Sequence, residues 1–312
     1  MKRGQVFELL IKHILINIGF SEVKSDGLYV FDGAPGQMIQ GLGEAHNTDV
    51  LLEPPVQTPF FSKTRLVVEC KEYKHKVGLN TLRSALGLRE DINHFDIVDC
   101  QRLLERRRQN RRSILYTYER YSYQVIVASI TGFTVQAQEF AASHRIPLLQ
   151  FNKMPFWDKI SALFEEKNYT VDGDFINDYK IINLAYEIGK NMAVAITNSG
   201  QLLFLYRLKN EANIKKFADK YTLHWKDKDN PWILNSEGVE YVFQLPDRIA
   251  KYWLDNANND ISLRKSAMNC KEEMLSNMVI YYKIRNKPTI KLISISENQL
   301  LRIKEELDKI NC

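Results

Sequence analysis

Apolar residues recur at helical spacing over residues 5–18, with Val6, Leu9, Leu10, Ile14, Ile16 and Ile18 forming the stripe that His13 joins. Gly19 follows as a C-terminal cap, so the chain should open on an amphipathic helix. A short apolar segment at 27–31 predicts a strand, and Asp32-Gly33-Ala34-Pro35-Gly36 a loop. Residues 48–53 and 65–71 predict two short strands. The connection between them, from Pro54-Pro55 to Thr64, is long enough for an antiparallel pair with a loose hairpin loop. Helical spacing returns at 79–93 through Leu79, Leu82, Leu86 and Ile92. The β-branched run at 123–130 predicts a buried strand, and 134–143 a helix whose Ala137, Ala141 and Ala142 allow close approach to a sheet. A last strand is expected at 146–151. The order helix, three strands, helix, strand, helix, strand is an α/β pattern of helices covering a mixed sheet.

The second half reads as α+β. Strands at 192–197 and 201–208 flank Asn198-Ser199-Gly200, a good hairpin turn. Further strands are expected at 221–225, 232–234, 240–245 and 288–294, and helices at 247–254 and 271–282. Ser296-Glu297-Asn298-Gln299 has the pattern of a capping box opening a final helix to residue 310. Trp225, Trp232 and Tyr241 have rings able to stack bases, although core packing is the ordinary use of such residues. Residues 152–157, with Pro155, divide the chain into two expected domains, 1–155 and 156–312.

Composition narrows the class. The 312 residues are 45% hydrophobic and 26% charged, values of a folded globular chain rather than a disordered one. No apolar run approaches the roughly 18–20 residues that cross a bilayer, so no membrane association is expected. The basic start is followed by a stretch broken by Glu8, Lys12 and His13, a poor signal-peptide core. Cys70, Cys100, Cys270 and Cys312 are scattered without a CxxC pair, which argues against a zinc site or disulfide framework and for a reducing, cytoplasmic setting.

The net charge is +5, and it is unevenly spread. Six arginines, Arg102, Arg106, Arg107, Arg108, Arg111 and Arg112, crowd into a stretch of about 94–122 that is longer than a helix-to-strand link requires. A guanidinium offers a planar fork of donors suited to phosphate. Beside the sheet edge that carries Asp49, these arginines would grip a nucleic-acid backbone, whereas a solvated helix face is the plain alternative.

The candidate chemistry lies at the two strands of the first half. Glu69 and Lys71 alternate with Cys70, so they share one face while Cys70 points the other way as a small core residue. Antiparallel pairing puts the start of the first strand beside the end of the second and so brings Asp49 next to both. Two carboxylates and the backbone carbonyl of Cys70 then offer oxygens to a hard cation such as Mg²⁺. Glu8 on the first helix can approach as a further ligand or water-holding group. Such a site suits phosphodiester hydrolysis, with Lys71 orienting the water or countering charge on the phosphate. His46 lies near enough to contact phosphate, although a neutral loop histidine is the ordinary reading.

Four stretches carry a family resemblance: the helix with Phe7-Glu8 and Gly19-Phe20; Gly43 to Asp49; Val67-Val68-Glu69-Cys70-Lys71 with Glu72-Tyr73 and Val77-Gly78; and Ser129-Ile130-Thr131-Gly132-Phe133-Thr134 followed by Ala137, Ala141 and Ile146-Pro147-Leu148-Leu149. Residues 1–152 resemble the PD-(D/E)XK nuclease superfamily and, within it, the Mrr-like restriction endonucleases. Thr48 replaces the proline before Asp49, and Glu69 stands where many Mrr-like proteins have Gln.

The resemblance implies a restriction-endonuclease-like mixed sheet flanked by helices, followed by a second α+β domain for recognition, oligomerisation or regulation. It implies Asp49 and Glu69 as metal ligands, Lys71 as the catalytic lysine, Glu8 as an auxiliary acid, and Mg²⁺ as cofactor with Mn²⁺ able to substitute. The expected activity is a Mg²⁺-dependent DNA endonuclease of restriction or anti-phage defence type. The expected partners are DNA, a second copy of the chain for the second strand, and proteins of a defence system. A nuclease of RNA or branched DNA, or a non-catalytic binding or scaffold protein on the same fold, stands as the alternative. No P-loop, GxGxxG before a helix or GxSxG elbow points to other chemistry.

Overall fold

The computed structural model describes residues 2–34, 36–57, 62–95, 100–109, 120–165, 177–208, 216–218, 221–225, 232–246 and 260–309. The opening stripe forms α1 (Arg3–Ile18), which buries Val6, Phe7, Leu10, Ile11, Ile14, Leu15 and Ile18. Each such side chain contributes roughly 1.5–3 kcal/mol relative to exposure. Gly19 ends the helix at φ 126°, its N–H reaching the carbonyls of Leu15 and Ile16.

After β1 (Ser21–Glu22) the chain forms a small antiparallel sheet of β2 (Val30–Gly33), β3 (Gly36–Gln40) and β4 (Ala45–Asn47). Then come β5 (Val50–Glu53), β6 (Lys63–Lys71), α2 (Leu79–His94), α3 (Cys100–Arg108), β7 (Tyr121–Ser129), α4 (Val135–Ser143) and β8 (Leu148–Gln150). The main sheet of this half has the order β1-β5-β6-β7-β8. β5 and β6 are antiparallel, with Val50 opposite Val68. β6 and β7 are parallel, with Lys71 opposite Ser129, and β8 continues parallel to β7. The sheet is mixed, and the fold is mixed α/β.

Alternation along β6 sorts its side chains between two cores. Leu66, Val68 and Cys70 pack with α1. Val67 joins Val125 and Val127 of β7 against Leu82, Ala85 and Ile92 of α2 and Ala137 and Ala141 of α4. At the other end of β6, buried Arg65 bonds Glu53 at 3.0 Å and lies 3.4 Å over the ring of Tyr121. The cation is thus paired and stacked rather than left bare.

The second half begins with α5 (Trp157–Ile160) and α6 (Asp178–Gly189), the latter capped by the Asn177 side chain, which accepts from Lys180 N–H. It continues through β9 (Met192–Thr197), β10 (Leu202–Arg207), β11 (Tyr221–Trp225), β12 (Trp232–Ser236), β13 (Val239–Phe243), α7 (Asp260–Met274), β14 (Asn277–Ile284), β15 (Lys287–Ser294) and α8 (Glu297–Lys309). Its antiparallel sheet has the order β11-β12-β13-β10-β9-β14-β15. Trp232 and Tyr241 are buried in the core of this sheet.

Several expectations need correction. The helix expected at 271–282 divides: α7 ends at Met274, and Asn277 opens β14. Met278, Ile280 and Tyr282 face one core and Tyr281 the other, so a strand buried on both faces has no polar alternation to mark it. Of the expected loop at 32–36, Asp32 and Gly33 belong to β2 and Gly36 to β3, with Gly33 opposite Gly36. The helix expected at 247–254 lies outside the described residues.

The break at 152–157 marks a change of sheet, not a gap in packing. One buried cluster runs from Phe7 of α1 through Phe151, Phe156 and Phe164 to Ile188 of α6 and to Met192 and Phe204 of the second sheet. Polar ties cross as well. Gln201 Nε2 donates to the Leu148 carbonyl at 3.0 Å, and Lys283 Nζ to the Ile16 carbonyl at 2.9 Å.

Candidate active site

Asp49 stands one residue before β5, where antiparallel pairing carries it to the C-terminal end of β6. Its Oδ2 accepts the backbone N–H of Cys70 at 2.7 Å. Lys71 Nζ lies 2.8 Å from Glu69 Oε2 and 3.7 Å from Asp49 Oδ2. These three side chains are about four-fifths shielded from solvent, at 17–20% exposure. They meet because the apolar run Leu66 to Val68 buries the middle of β6, so the polar end that follows emerges at the rim of the sheet.

The electrostatics reflect this crowding. Burial works to lower the Lys71 pKa, but Glu69 and Asp49 outweigh it and hold the ammonium above its ordinary value. Burial raises the Glu8 pKa, Asp49 and Glu69 push the same way, and Lys71 opposes them. Glu8 therefore belongs to the same field, reaching it from α1. Burial first, then Asp49 and Glu8, drives the Cys70 thiol well above the usual thiol range, as expected of a core residue that is no nucleophile.

Two clefts flank the cluster. One, of about 460 Å³, includes His46, Glu69, Lys71 and Tyr73, with Asn80, Thr81 and Ser84 of α2 opposite. The other, also about 460 Å³, holds Asp49 and Glu8 beneath Gln37 of β3. Asn47 borders both.

His46 is tied rather than free. Its Nε2 is 2.6 Å from Asp91 Oδ2, and the Gly43 N–H donates to Asp91 Oδ1 at 2.9 Å. The His46 and Gly43 hydrogen bonds lower the Asp91 pKa. Gly41 is required here, since a Cβ would lie 2.6 Å from the Glu44 backbone carbonyl oxygen as well as 2.0 Å from Asp91 Oδ2. Sequence reasoning missed Asp91, which is 45 residues from His46 and carries no local signal.

The oxygens suit a hard cation only in part. A strand residue's N–H and C=O face the same side, so the Cys70 carbonyl shares the edge on which its N–H meets Asp49. Yet among the described residues no group of three or more His, Cys, Asp or Glu side chains stands close enough to hold a metal ion. Two carboxylates fit an ion that keeps most of its water and takes its remaining oxygens from phosphate, as Mg²⁺ does.

The arginine stretch is rooted elsewhere. α2 ends and β7 begins at the opposite end of the sheet, where the Asn93 side chain bonds the Tyr123 backbone N–H and C=O. Tyr121 is opposite Lys63, eight residues and roughly 26 Å from Lys71 along β6. The roots of the stretch are therefore not beside Asp49. Arg107 and Arg108 are exposed on α3, whereas the side chains of Arg102 and Arg106, and all of Arg111 and Arg112, lie outside the described residues.

No protein-family model matches the chain, and no curated protein matches its sequence. A solved structure described as a protein of unknown function, AF1548, aligns with 59% of this chain and 95% of its own at 13% identity. Its TM-score of 0.31 carries no argument about fold or function.

Proposed function

We propose that the protein is a metal-dependent phosphodiester hydrolase acting on DNA, of restriction or anti-phage defence type, on a restriction-endonuclease-like sheet. The observation that carries this reading is the convergence of Asp49, Glu69 and Lys71 at one strand end, with Glu8 facing them. A helix-flanked mixed sheet whose central strand, β6, carries the Glu-x-Lys pair supports it, as does the resemblance of residues 1–152 to Mrr-like nucleases.

Asp49 and Glu69 would hold the cation, Mg²⁺ or Mn²⁺, with the Cys70 carbonyl as a third donor. A bound divalent cation polarises the scissile phosphate and acidifies a water. Lys71, released from Glu69, meets the phosphate oxygens or orients the water. Glu8 retains a proton more readily than an ordinary carboxyl and can accept or pass one at the cleft wall. The half that follows residue 155 serves recognition, pairing of two copies or control by a defence partner.

The test is incubation of the full chain with plasmid, linear duplex, single-stranded DNA and RNA in Mg²⁺, Mn²⁺ or EDTA, beside Lys71→Ala. The reading expects cleavage that needs the divalent ion and is lost in the variant. Cutting of RNA alone, or of an added branched DNA junction alone, would move the substrate class. Binding without cutting under every condition would leave a non-catalytic nucleic-acid-binding protein.

A further inference from the structure

Beyond Lys71 the chain leaves β6 and places two aromatic rings side by side. Tyr73 and His75 stack with centroids 5.5 Å apart and an interplanar angle of 15°. Tyr73 is 40% exposed, and it borders the same cleft as Glu69 and Lys71. The stack leaves part of the tyrosine ring open to solvent at the cleft.

The loop that carries the rings is fixed. Thr131 Oγ1 donates to the His75 carbonyl at 2.7 Å, Val77 N–H to the Gly132 carbonyl at 2.8 Å, and Thr134 N–H to the Val77 carbonyl at 3.0 Å. The backbone at His75 and Val77 is therefore held against the β7–α4 turn. Opposite Tyr73 stand Asn80, Thr81 and Ser84, small polar side chains able to meet a base edge or a sugar. A cleft of about 460 Å³ is of the size that takes one small ligand, not a helix of DNA.

We propose that Tyr73, backed by His75, is a stacking shelf for one unpaired nucleobase beside the phosphate met by Lys71, so that the substrate is single-stranded or unstacked at that position. The inference rests on the hydrolase reading and sharpens it. A base within a duplex has both faces covered by its neighbours, and only an unpaired or displaced base can lie on a tyrosine. Stacking is tolerant of sequence because every base has a π face, so the shelf selects strand form rather than a recognition sequence.

The experiment measures fluorescence anisotropy of the full chain with a labelled single-stranded DNA, the same sequence as RNA, and the matching duplex, all in EDTA. Tyr73→Ala should weaken single-strand binding about tenfold, with His75→Ala intermediate and Tyr73→Phe close to wild type, since the ring and not the hydroxyl makes the contact. Duplex binding should be weaker and indifferent to all three. Single-strand affinity unchanged in Tyr73→Ala, or lost equally in Tyr73→Phe, overturns the shelf and leaves the hydrolase reading standing. Wild-type protein that binds no single strand overturns the shelf, and one that also cuts no nucleic acid in Mg²⁺ overturns the hydrolase reading with it.

Discussion

Asp49 and Cys70 are joined by a hydrogen bond of 2.7 Å from backbone N–H to carboxylate. The bond fixes the carboxylate on the rim of β6 and gives it a structural duty beside the chemical one proposed for it. Asp49→Asn keeps an oxygen that accepts from Cys70 but removes the anion. It should lower hydrolysis by roughly 10²-fold or more while leaving stability within about 1 kcal/mol of wild type. Asp49→Ala also leaves the N–H unmet and should lose about 1.5–3 kcal/mol in a urea titration. Equal activity in Asp49→Asn and wild type would remove Asp49 from the chemistry.

His46 and Asp91 give a pH test. The hydrogen bonds from His46 and Gly43 depress the Asp91 carboxyl below its ordinary value of 3.8. A carboxyl depressed by folding stabilises the native state above the unfolded pKa, and that stability is lost as pH falls through the native value. The window lies on the acid side of 3.8, so the Asp91 carboxylate stays ionised throughout the neutral range. Carboxyl ¹³C NMR should find the Asp91 midpoint below the ordinary aspartate range, and His46→Ala should move it upward. A midpoint that does not respond would mean that the two side chains are apart in solution.

The sequence made part of this site readable and hid the rest for physical reasons. Leu66, Val67 and Val68 announce a strand buried on both faces, and period-two alternation then fixes Glu69 and Lys71 on one side. α1 showed itself by its stripe and by Gly19. β3 and β4 were missed because they are short, and the polar residues Gln37, Gln40 and Asn47 give no alternating signal. α6 was missed although its cap and apolar stripe are regular. β14 was misread because five successive apolar residues, Met278 to Tyr282, fit a helix as readily as a strand. The arginine cluster was legible as composition, but where its ends are rooted depends on the pairing of β6 with β7, which no local pattern encodes.

Lys283 ties the second sheet to the end of α1. Its Nζ donates to the Ile16 carbonyl at 2.9 Å, one of the last carbonyls of the helix, and burial lowers its pKa. A cation near a helix C-terminus is favourable, and the carbonyl, which also accepts from Gly19 N–H at 3.0 Å, gains a second donor. Lys283→Met keeps the aliphatic stem and removes the donor. It should cost about 1 kcal/mol in chemical denaturation. An unchanged midpoint would show that water serves the carbonyl equally well.

The shared core makes a stronger prediction about the two halves. The Phe204 ring in β10 lies 5.9 Å from that of Phe151 and 6.4 Å from that of Phe156, and Phe151 is 4.9 Å from Phe7 in α1. These rings come from both sides of residue 155, and all four side chains are buried. Phe204→Ala should therefore cost about 3–5 kcal/mol and lower one transition common to both halves, not a transition of the second half alone. A fragment of residues 1–155 would expose Phe7 and Phe151 together with the α1 stripe that α6 covers. It should bind a hydrophobic dye and unfold without a sharp midpoint, whereas the full chain should give coincident far-UV and tryptophan-fluorescence transitions. A fragment that melts cooperatively, at a midpoint also seen as a separate step in the full chain, would make the halves independent folding units. The packing of Phe204 would then be a docking contact and not a common core.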